Sequence, residues 1–191
     1  MTRFFDRGAI VAAYVGIGMA LTIGVSFLLV IPIDPIVTLF ALPAGLFIGY
    51  YANQRSNRVV GPTRRIVVNA LFAALVTGIA TAVLFLGVRA LFFAADGGYR
   101  DPGLGGPIVC ETGADCVYQR YLQSPQGPLL EGAGVTDAAT FSRFYWDQQQ
   151  ATAATMVLLT LAGGLGGGAL YVAFRPRPGP DPNSRPGTAT E

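Results

Sequence analysis

The chain has 191 residues, of which 52% are hydrophobic and 13% are charged, and its formal net charge is +2. An average soluble domain carries about 25% charged residues, so this composition argues against a water-soluble globule. All 13 basic residues are arginine and only 2 cysteines are present, which excludes lysine or histidine catalysis, imidazole metal ligation and a four-cysteine metal site within one chain.

Four hydrophobic blocks are long enough to cross a bilayer, which takes roughly 20 apolar residues in a helix. They cover about residues 8–31, 35–52, 66–95 and 151–174. In lipid every backbone polar group needs an internal partner, so we expect each block to be a helix. Buried helices of a soluble protein are disfavoured, because too little polar sequence remains to cover them. The sequence therefore predicts an all-α integral membrane protein, with a four-helix transmembrane bundle as the membrane domain at 1–174.

The first block follows Arg3 and Arg7 and has some features of a signal peptide. Its apolar run is longer than the roughly 7–15 residues of such a segment, and no A-x-A-like cleavage site follows it. The segment from Ile31 to Pro35 instead predicts a tight reversal, because its prolines end one helix and allow the next to begin. We therefore expect the first block to be retained as a membrane anchor.

Arginine placement predicts the orientation of the spans by the positive-inside rule. Nine arginines flank the first span, fill the connection between spans two and three, or follow span four: Arg3, Arg7, Arg55, Arg58, Arg64, Arg65, Arg175, Arg177 and Arg185. The loop at about 96–150 has three arginines and is richer in acidic residues. We therefore expect both termini in the cytoplasm, including a disordered Pro-rich tail at 175–191, and the long loop outside the cell membrane.

Every predicted span carries small residues at a spacing of four, which lets helices pack closely in lipid. The predicted packing residues are Gly8, Ala12, Gly16, Ala20, Gly24, Gly45, Gly49, Gly78, Gly163, Gly164, Gly167 and Gly168. Packing within one bundle is the simpler interpretation, and the other is that at least one ridge docks a partner protein or a second copy. The glycine cluster of span four also fits a hinge, or a place where a flat lipid or cofactor ring packs.

Three polar residues lie within the predicted spans or at their ends. Arg89, near the outer end of span three, can snorkel to the headgroups, pair with Asp34 or bind a substrate. Asn69, near the inner end of the same span, is expected to hydrogen-bond a neighbouring helix. No predicted span has an acidic residue or a histidine at its middle, which argues against a proton-coupled transporter or pump.

Both cysteines, Cys110 and Cys116, lie in the predicted outer loop, where an oxidising compartment permits a disulfide. A redox pair or half of a metal site is the alternative, but the spacing is not C-x-x-C and no histidine is present. After the cysteines we expect a short amphipathic helix at about 116–123 and a turn-rich segment at 124–134.

A second loop helix is expected to begin after Thr136 or Asp137, either of which can cap it, and to run into span four. Its aromatic residues fit a belt at the outer water–lipid interface: Phe141, Phe144, Tyr145 and Trp146. We predict that they anchor this interface and cover the bundle as a lid. A specific extracellular binding surface is the alternative.

The sequence offers much packing surface and few reactive groups. We predict no catalytic residue, no metal site and no cofactor, and we expect the lipid bilayer as a partner, with a membrane protein or a second copy beside it and no nucleic acid. The leading hypothesis is a non-catalytic accessory, assembly or scaffold component that acts through helix packing and outer-loop contacts. The alternative is a transporter or channel for a small or apolar solute, which Pro43, the glycine cluster and Arg89 favour. A membrane enzyme comes third, because nothing fixes the loop acids as a catalytic pair.

Overall fold

The computed structural model describes residues 5–26, 34–57, 62–95, 110 and 112–174, with the backbone alone at 34–37. These residues form helices and no strand, as predicted. The helices are α1 (Arg7–Gly24), α2 (Asp34–Arg55), α3 (Thr63–Ala95), α4 (Ala114–Leu122), α5 (Gly127–Gly132) and α6 (Ala138–Phe174). Of the reversal predicted at 31–35, residues 31–33 lie outside the described residues, and residues 34–35 begin α2. The first part of the predicted outer loop at 96–109 and the predicted tail at 175–191 also lie outside them.

In the described part of the chain, three helices are long and apolar enough to cross a membrane by length and composition: α1, α3 and α6. Less than half of the most apolar stretch of each is buried inside the protein. Large apolar side chains lie on the outward faces, among them Tyr14, Leu39, Val83, Leu158 and Phe174. Apolar surface of this extent is favourable in lipid and unfavourable in water, which indicates membrane association.

The relative directions of α2, α3 and α6 follow from their close contacts. Gly78 on α3 lies against Thr160, whereas Gly168 lies against Ala70, so contact positions run in opposite order and α3 is antiparallel to α6. Gly45 on α2 also lies against Thr160, and the residues four positions further along each helix are again in contact. Because these contact positions increase together, α2 runs parallel to α6.

The first helix, α1, is parallel to α3 and antiparallel to α2. This follows from three contacts, which are Gly16 with Thr77, Gly24 with Leu84, and Gly8 with Ser56. The four long helices therefore alternate in direction along the chain. One end of them, here called the arginine end, carries Arg7, Arg55, Arg64 and Arg65. The connection between α3 and α6 lies at the opposite end.

That opposite end is covered by the cap, defined as residues 112–149, which contains α4, α5 and the first turns of α6. Its core includes Leu130 and Val135, and Phe93 from the end of α3 packs against it. α4 forms in the segment predicted to be an amphipathic helix. The segment predicted to be turn-rich contains α5, because Pro128 favours the first turn of a helix and Leu130 is fully buried.

The first turn of α6 is capped by Asp137. The Thr140 backbone N–H donates to Asp137 Oδ1 at 2.7 Å, and the Thr140 hydroxyl donates to the same oxygen at 3.0 Å. These hydrogen bonds favour the charged carboxylate and lower the pKa of Asp137 below its ordinary value of 3.8. From there α6 continues without a break for 37 residues, so one helix joins the cap to the apolar segment.

Candidate functional site

The two cysteines close the start of the cap. Cys110 and Cys116 lie at disulfide distance, as predicted, with their Cα atoms 5.4 Å apart. Gly113 between them has a φ of +114°. Residues with a Cβ rarely adopt this backbone conformation, so a glycine suits this position. The bridge therefore ties the chain arriving from α3 to the first turn of α4.

The four aromatic residues predicted to form an interface belt divide between two sides of α6. Phe141 and Tyr145 are buried in the cap core, and both contact Tyr121 of α4. Phe144 and Trp146 are half-buried at the edge of this core. Phe141 and Tyr145 therefore attach α4 to α6, as a lid would require, and the predicted belt at the water–lipid interface stays a prediction.

Every residue predicted to pack between helices is buried within the chain. On α6, a Cβ at Gly163 would meet the Leu42 carbonyl oxygen, and a Cβ at Gly167 would meet the Leu46 carbonyl oxygen. Gly45 on α2 faces the carbonyl oxygen of Thr160 in return. The contact between α2 and α6 is therefore made backbone to backbone, a distance that permits Cα–H···O=C interactions. The small residues are therefore covered by neighbouring helices of the same chain, and they are not exposed to a partner.

At the arginine end, Asn69 on α3 is joined to Asp6, the residue before α1. Asn69 Nδ2 donates to Asp6 Oδ2 at 2.6 Å, and the Asp6 backbone N–H donates to Asn69 Oδ1 at 3.2 Å. Arg65 places its Nη1 atom 3.7 Å from Asp6 Oδ1. Asn69 is buried, so this pair links the start of α1 to α3. Asp6 was not among the predicted polar residues, although an acidic residue before an apolar run is a usual helix start.

A second buried asparagine, Asn53 on α2, was also not predicted. Its Nδ2 donates to the backbone carbonyl oxygens of Gly49 and Ile66, both at 3.0 Å. Asn53 Oδ1 is buried and has no hydrogen-bond partner among the described residues. The side chain bridges the last turns of α2 to the first turn of α3, so it serves the packing of this end.

A polar cavity of about 490 Å³ lies at the other end, between the long helices and the cap. Its described lining comes from α2, α3, α4, α6 and the turn before α5: Thr38, Phe85, Arg89, Tyr121, Gln126, Gln148, Gln149, Ala151 and Thr152. The Arg89 guanidinium carbon lies 5.3 Å from the centre of the Phe85 ring. This cation–π contact holds a positive charge at the cavity wall.

Gln149 is the most enclosed polar group of α6 at this cavity, with 8% of its surface exposed. Its carboxamide makes no hydrogen bond to any other described residue. Arg89 is half-buried beside it. The predicted alternative that Arg89 pairs with Asp34 falls outside the described side chains.

The described side chains that line the cavity are mostly polar. Its described lining has one cation and several amide and hydroxyl groups, and it has no carboxylate or imidazole for proton transfer. Among the described residues no group of His, Cys, Asp and Glu could hold a metal ion. These side chains can donate hydrogen bonds to a solute, and none of them forms an acid–base pair.

No model of a protein family, no curated protein and no solved structure matches this chain.

Proposed function

We propose that this chain is a four-span protein of the cell membrane, with α1, α2, α3 and α6 as its bundle and with both termini in the cytoplasm. Three of these helices have the length and apolarity of a span. α2 lies along α6 in the same direction, so it would cross the same layer. The arginine end would face the cytoplasm, because positive side chains are retained on that side.

Within the membrane we propose a non-catalytic accessory, assembly or scaffold function. The observation that carries this proposal is the backbone-to-backbone packing of α2 on α6, where Gly163 and Gly167 lie against carbonyl oxygens. Helices packed at this distance have little freedom to shift, because close-packed contacts tolerate few changes in spacing. Such a bundle is suited to hold the cap at a constant position above the membrane.

The cap is the surface that we propose contacts a partner, since the glycine ridges are already occupied within the chain. Leu122 exposes 39% of its surface on α4, and Leu129 exposes 64% on α5. A contiguous apolar patch on a segment outside the lipid is typical of a protein contact, and these two leucines would form its apolar part. The partner would be another membrane protein or a second copy of this chain, with the bilayer around both.

The scaffold proposal is tested by extracting the protein with its surrounding lipid into polymer nanodiscs and measuring the mass of the protein assembly that they contain. We expect an assembly larger than one chain. We expect Leu129→Arg to reduce the mass of this assembly, because burying an unpaired charge in the contact is unfavourable. Ala139→Arg introduces the same charge at an exposed position of α6, a different helix from that of Leu129, and should leave the assembly intact. A wild-type chain that is extracted as a lone monomer would overturn the proposal.

The proposed orientation predicts that Cys110 and Cys116 lie outside the cell. A membrane-impermeant thiol reagent should label neither of them in intact cells, because the disulfide leaves no thiol, and both should react after an impermeant reductant. In a chain with serine at both positions, Gln54→Cys at the arginine end should react only after the cells are opened, since Gln54 is exposed at that end. Reaction of Gln54→Cys in intact cells would contradict the orientation.

Transport of a small or apolar solute is the second candidate function, and the polar cavity at the cap end favours it. Below the cavity, however, α3 and α6 are closely packed: a Cβ added to Gly78 of α3 would lie only 3.2 Å from the Cβ of Thr160 on α6. Helices in such contact leave little room for a solute path between them. A solute flux through the purified protein in proteoliposomes would favour the transporter over the scaffold.

A further inference from the structure

Three exposed arginines lie at the arginine end, each on a different helix. Arg7 is the first residue of α1, Arg55 is the last residue of α2, and Arg64 lies in the first turn of α3. None of them forms an ion pair with another described residue, whereas Arg65 beside them approaches Asp6. The three side chains, here called the basic patch, therefore carry charge that the described part of the chain does not neutralise.

The basic patch is brought together by contacts between the three helix ends. Gly8 on α1 lies against Ser56, the residue that follows α2. Asn53 near the end of α2 donates a hydrogen bond to the Ile66 carbonyl oxygen of α3 at 3.0 Å. Charges from three separate parts of the sequence therefore meet at one end of the long helices.

The chain itself offers few acidic residues to oppose this patch. Residues 1–4 and residues 58–61, which adjoin the three helix ends in the sequence, contain two arginines and no acidic residue. Residues 175–191, which follow α6, contain three arginines and two acidic residues. These segments add more positive than negative charge, so we expect the counter-charge of the patch to come from outside the chain.

Apolar side chains are exposed within a few turns of the patch on all three helices. Ile10 on α1, Phe47 on α2 and Val67 on α3 expose 39%, 52% and 37% of their surfaces. A ligand that covers both the arginines and these side chains has an anionic group joined to apolar chains. An anionic phospholipid has this composition, whereas a free phosphate ion or a nucleic acid would meet only the charges.

A groove of about 500 Å³ lies beside Arg55 and offers a place for a headgroup. Tyr51, Gln54 and Asn57 also line it, and their hydroxyl and amide groups can donate hydrogen bonds. The Tyr51 ring stacks on that of Phe47, with ring centres 6.0 Å apart, and tyrosine favours the level of the lipid headgroups. The groove therefore presents hydrogen-bond donors at the depth where a lipid phosphate would lie.

We propose that the basic patch binds anionic phospholipids, with Arg55 and the groove beside it holding a phosphate group. A guanidinium fits the paired oxygens of a phosphate, and basic side chains at a membrane surface attract anionic lipids. This inference goes beyond the scaffold function and the orientation, because it concerns which lipid the folded protein retains. It requires no protein partner, so its failure would leave the scaffold proposal unaffected.

Native mass spectrometry of the full-length protein in dodecyl maltoside tests the proposal. Phosphatidylglycerol and phosphatidylcholine with the same acyl chains are added at equal concentration, so the two probes differ in the charge of the headgroup. We expect more phosphatidylglycerol than phosphatidylcholine to remain bound, and we expect a higher salt concentration to reduce this preference, because salt screens exposed charges. Equal retention of the two lipids by the wild type would overturn the proposal.

Arginine variants assign the preference to the basic patch. Each of Arg7→Gln, Arg55→Gln and Arg64→Gln should lower the ratio of bound phosphatidylglycerol to phosphatidylcholine by roughly twofold to fivefold, and the three combined should remove most of the preference. Arg143→Gln removes an exposed arginine of the cap, at the opposite end, and should keep the wild-type ratio. An unchanged ratio in the combined variant, or an equal fall in Arg143→Gln, would overturn the proposal.

The Tm of the combined variant shows whether it is folded. The three side chains are exposed and form no ion pair among the described residues, so we expect a Tm close to that of the wild type. Arg55→Gln alone changes a single exposed side chain and provides the comparison should the combined variant unfold. A wild-type ratio in folded Arg55→Gln would overturn the assignment of the phosphate to the groove beside this residue.

Discussion

Replacement of Gly167 by alanine is expected to lower the free energy of unfolding by about 1–3 kcal/mol, as is typical of overpacked sites. A Cβ at this position would meet the Leu46 carbonyl oxygen and would lie 2.6 Å from the Tyr50 backbone nitrogen. Backbone atoms of α2 cannot rotate away as a side chain can, so the two helices have to separate. This separation forfeits the contacts on either side of Gly167 as well.

The neighbouring Gly166 provides the matched control. A Cβ there would have the Leu46 side chain as its nearest atom, at 3.9 Å, which is ordinary van der Waals contact. Both substitutions replace glycine by a better helix former in the same turn of α6, so the intrinsic gain of about 1 kcal/mol is shared. Gly166→Ala is therefore expected to keep or raise stability, and the difference between the two variants measures the contact with α2.

Thermal unfolding in mild detergent, followed by circular dichroism, checks this prediction. We expect the Tm of Gly167→Ala to fall and that of Gly166→Ala to stay at or above the wild-type value. Equal shifts for both variants would show that α2 and α6 are not packed at this distance. The result would then remove the observation on which the scaffold proposal depends.

The same contacts explain why α6 has more glycines than one ridge requires. Gly163 and Gly167 face α2, whereas Gly164 lies against Ala74 of α3 and Gly168 lies against Ala70. Residues one apart point about 100° apart around a helix, so the two pairs form adjacent faces. The cluster therefore serves two neighbours at once, and neither a hinge nor a flat ring is needed to account for it.

The helices and their packing residues could be predicted from sequence because each depends on local pattern. Long apolar blocks indicate helices in lipid, and small residues spaced by four indicate close faces. Which face meets which helix depends on the order of all four helices around the bundle, and no single block contains that information. Gly163 and Gly164 are adjacent in sequence and similar in chemistry, yet they contact different helices.

The polar sites were predicted less completely for a related reason. Asn69 was expected to bond a neighbouring helix, but its partner Asp6 is separated from it by 63 positions. Gln149 lies in a segment assigned to the outer loop, where a glutamine carries no special signal. Its burial depends on the cap covering the end of α3, which no local pattern indicates. A pattern was available for the cap itself, because Phe141, Tyr145 and Gln149 are spaced by four and share one buried face.

Replacement of Phe141 by alanine is expected to release α4 and α5 from α6. Phe141 is 0% exposed, and its ring centre lies 5.1 Å from that of Tyr121 and 5.5 Å from that of Tyr118, both on α4. Removing a fully buried phenylalanine costs about 3–5 kcal/mol. A segment as small as α4 and α5 has few other contacts to oppose that loss, because its described core is the cluster around Phe141 and Tyr145.

Hydrogen–deuterium exchange read by mass spectrometry separates release of α4 and α5 from global unfolding. In Phe141→Ala, peptides from α4 and α5 should exchange faster, while peptides from α2 should exchange as in the wild type, because the α2 contacts with α6 lie at Gly163 and Gly167. Phe174→Ala makes the same change in the same helix at a residue that is 73% exposed, and it should alter neither segment. Unchanged exchange of α4 and α5 in Phe141→Ala would mean that the cap is held by contacts other than this aromatic core. Equally faster exchange throughout α2 would mean that the cap and the bundle unfold as one unit.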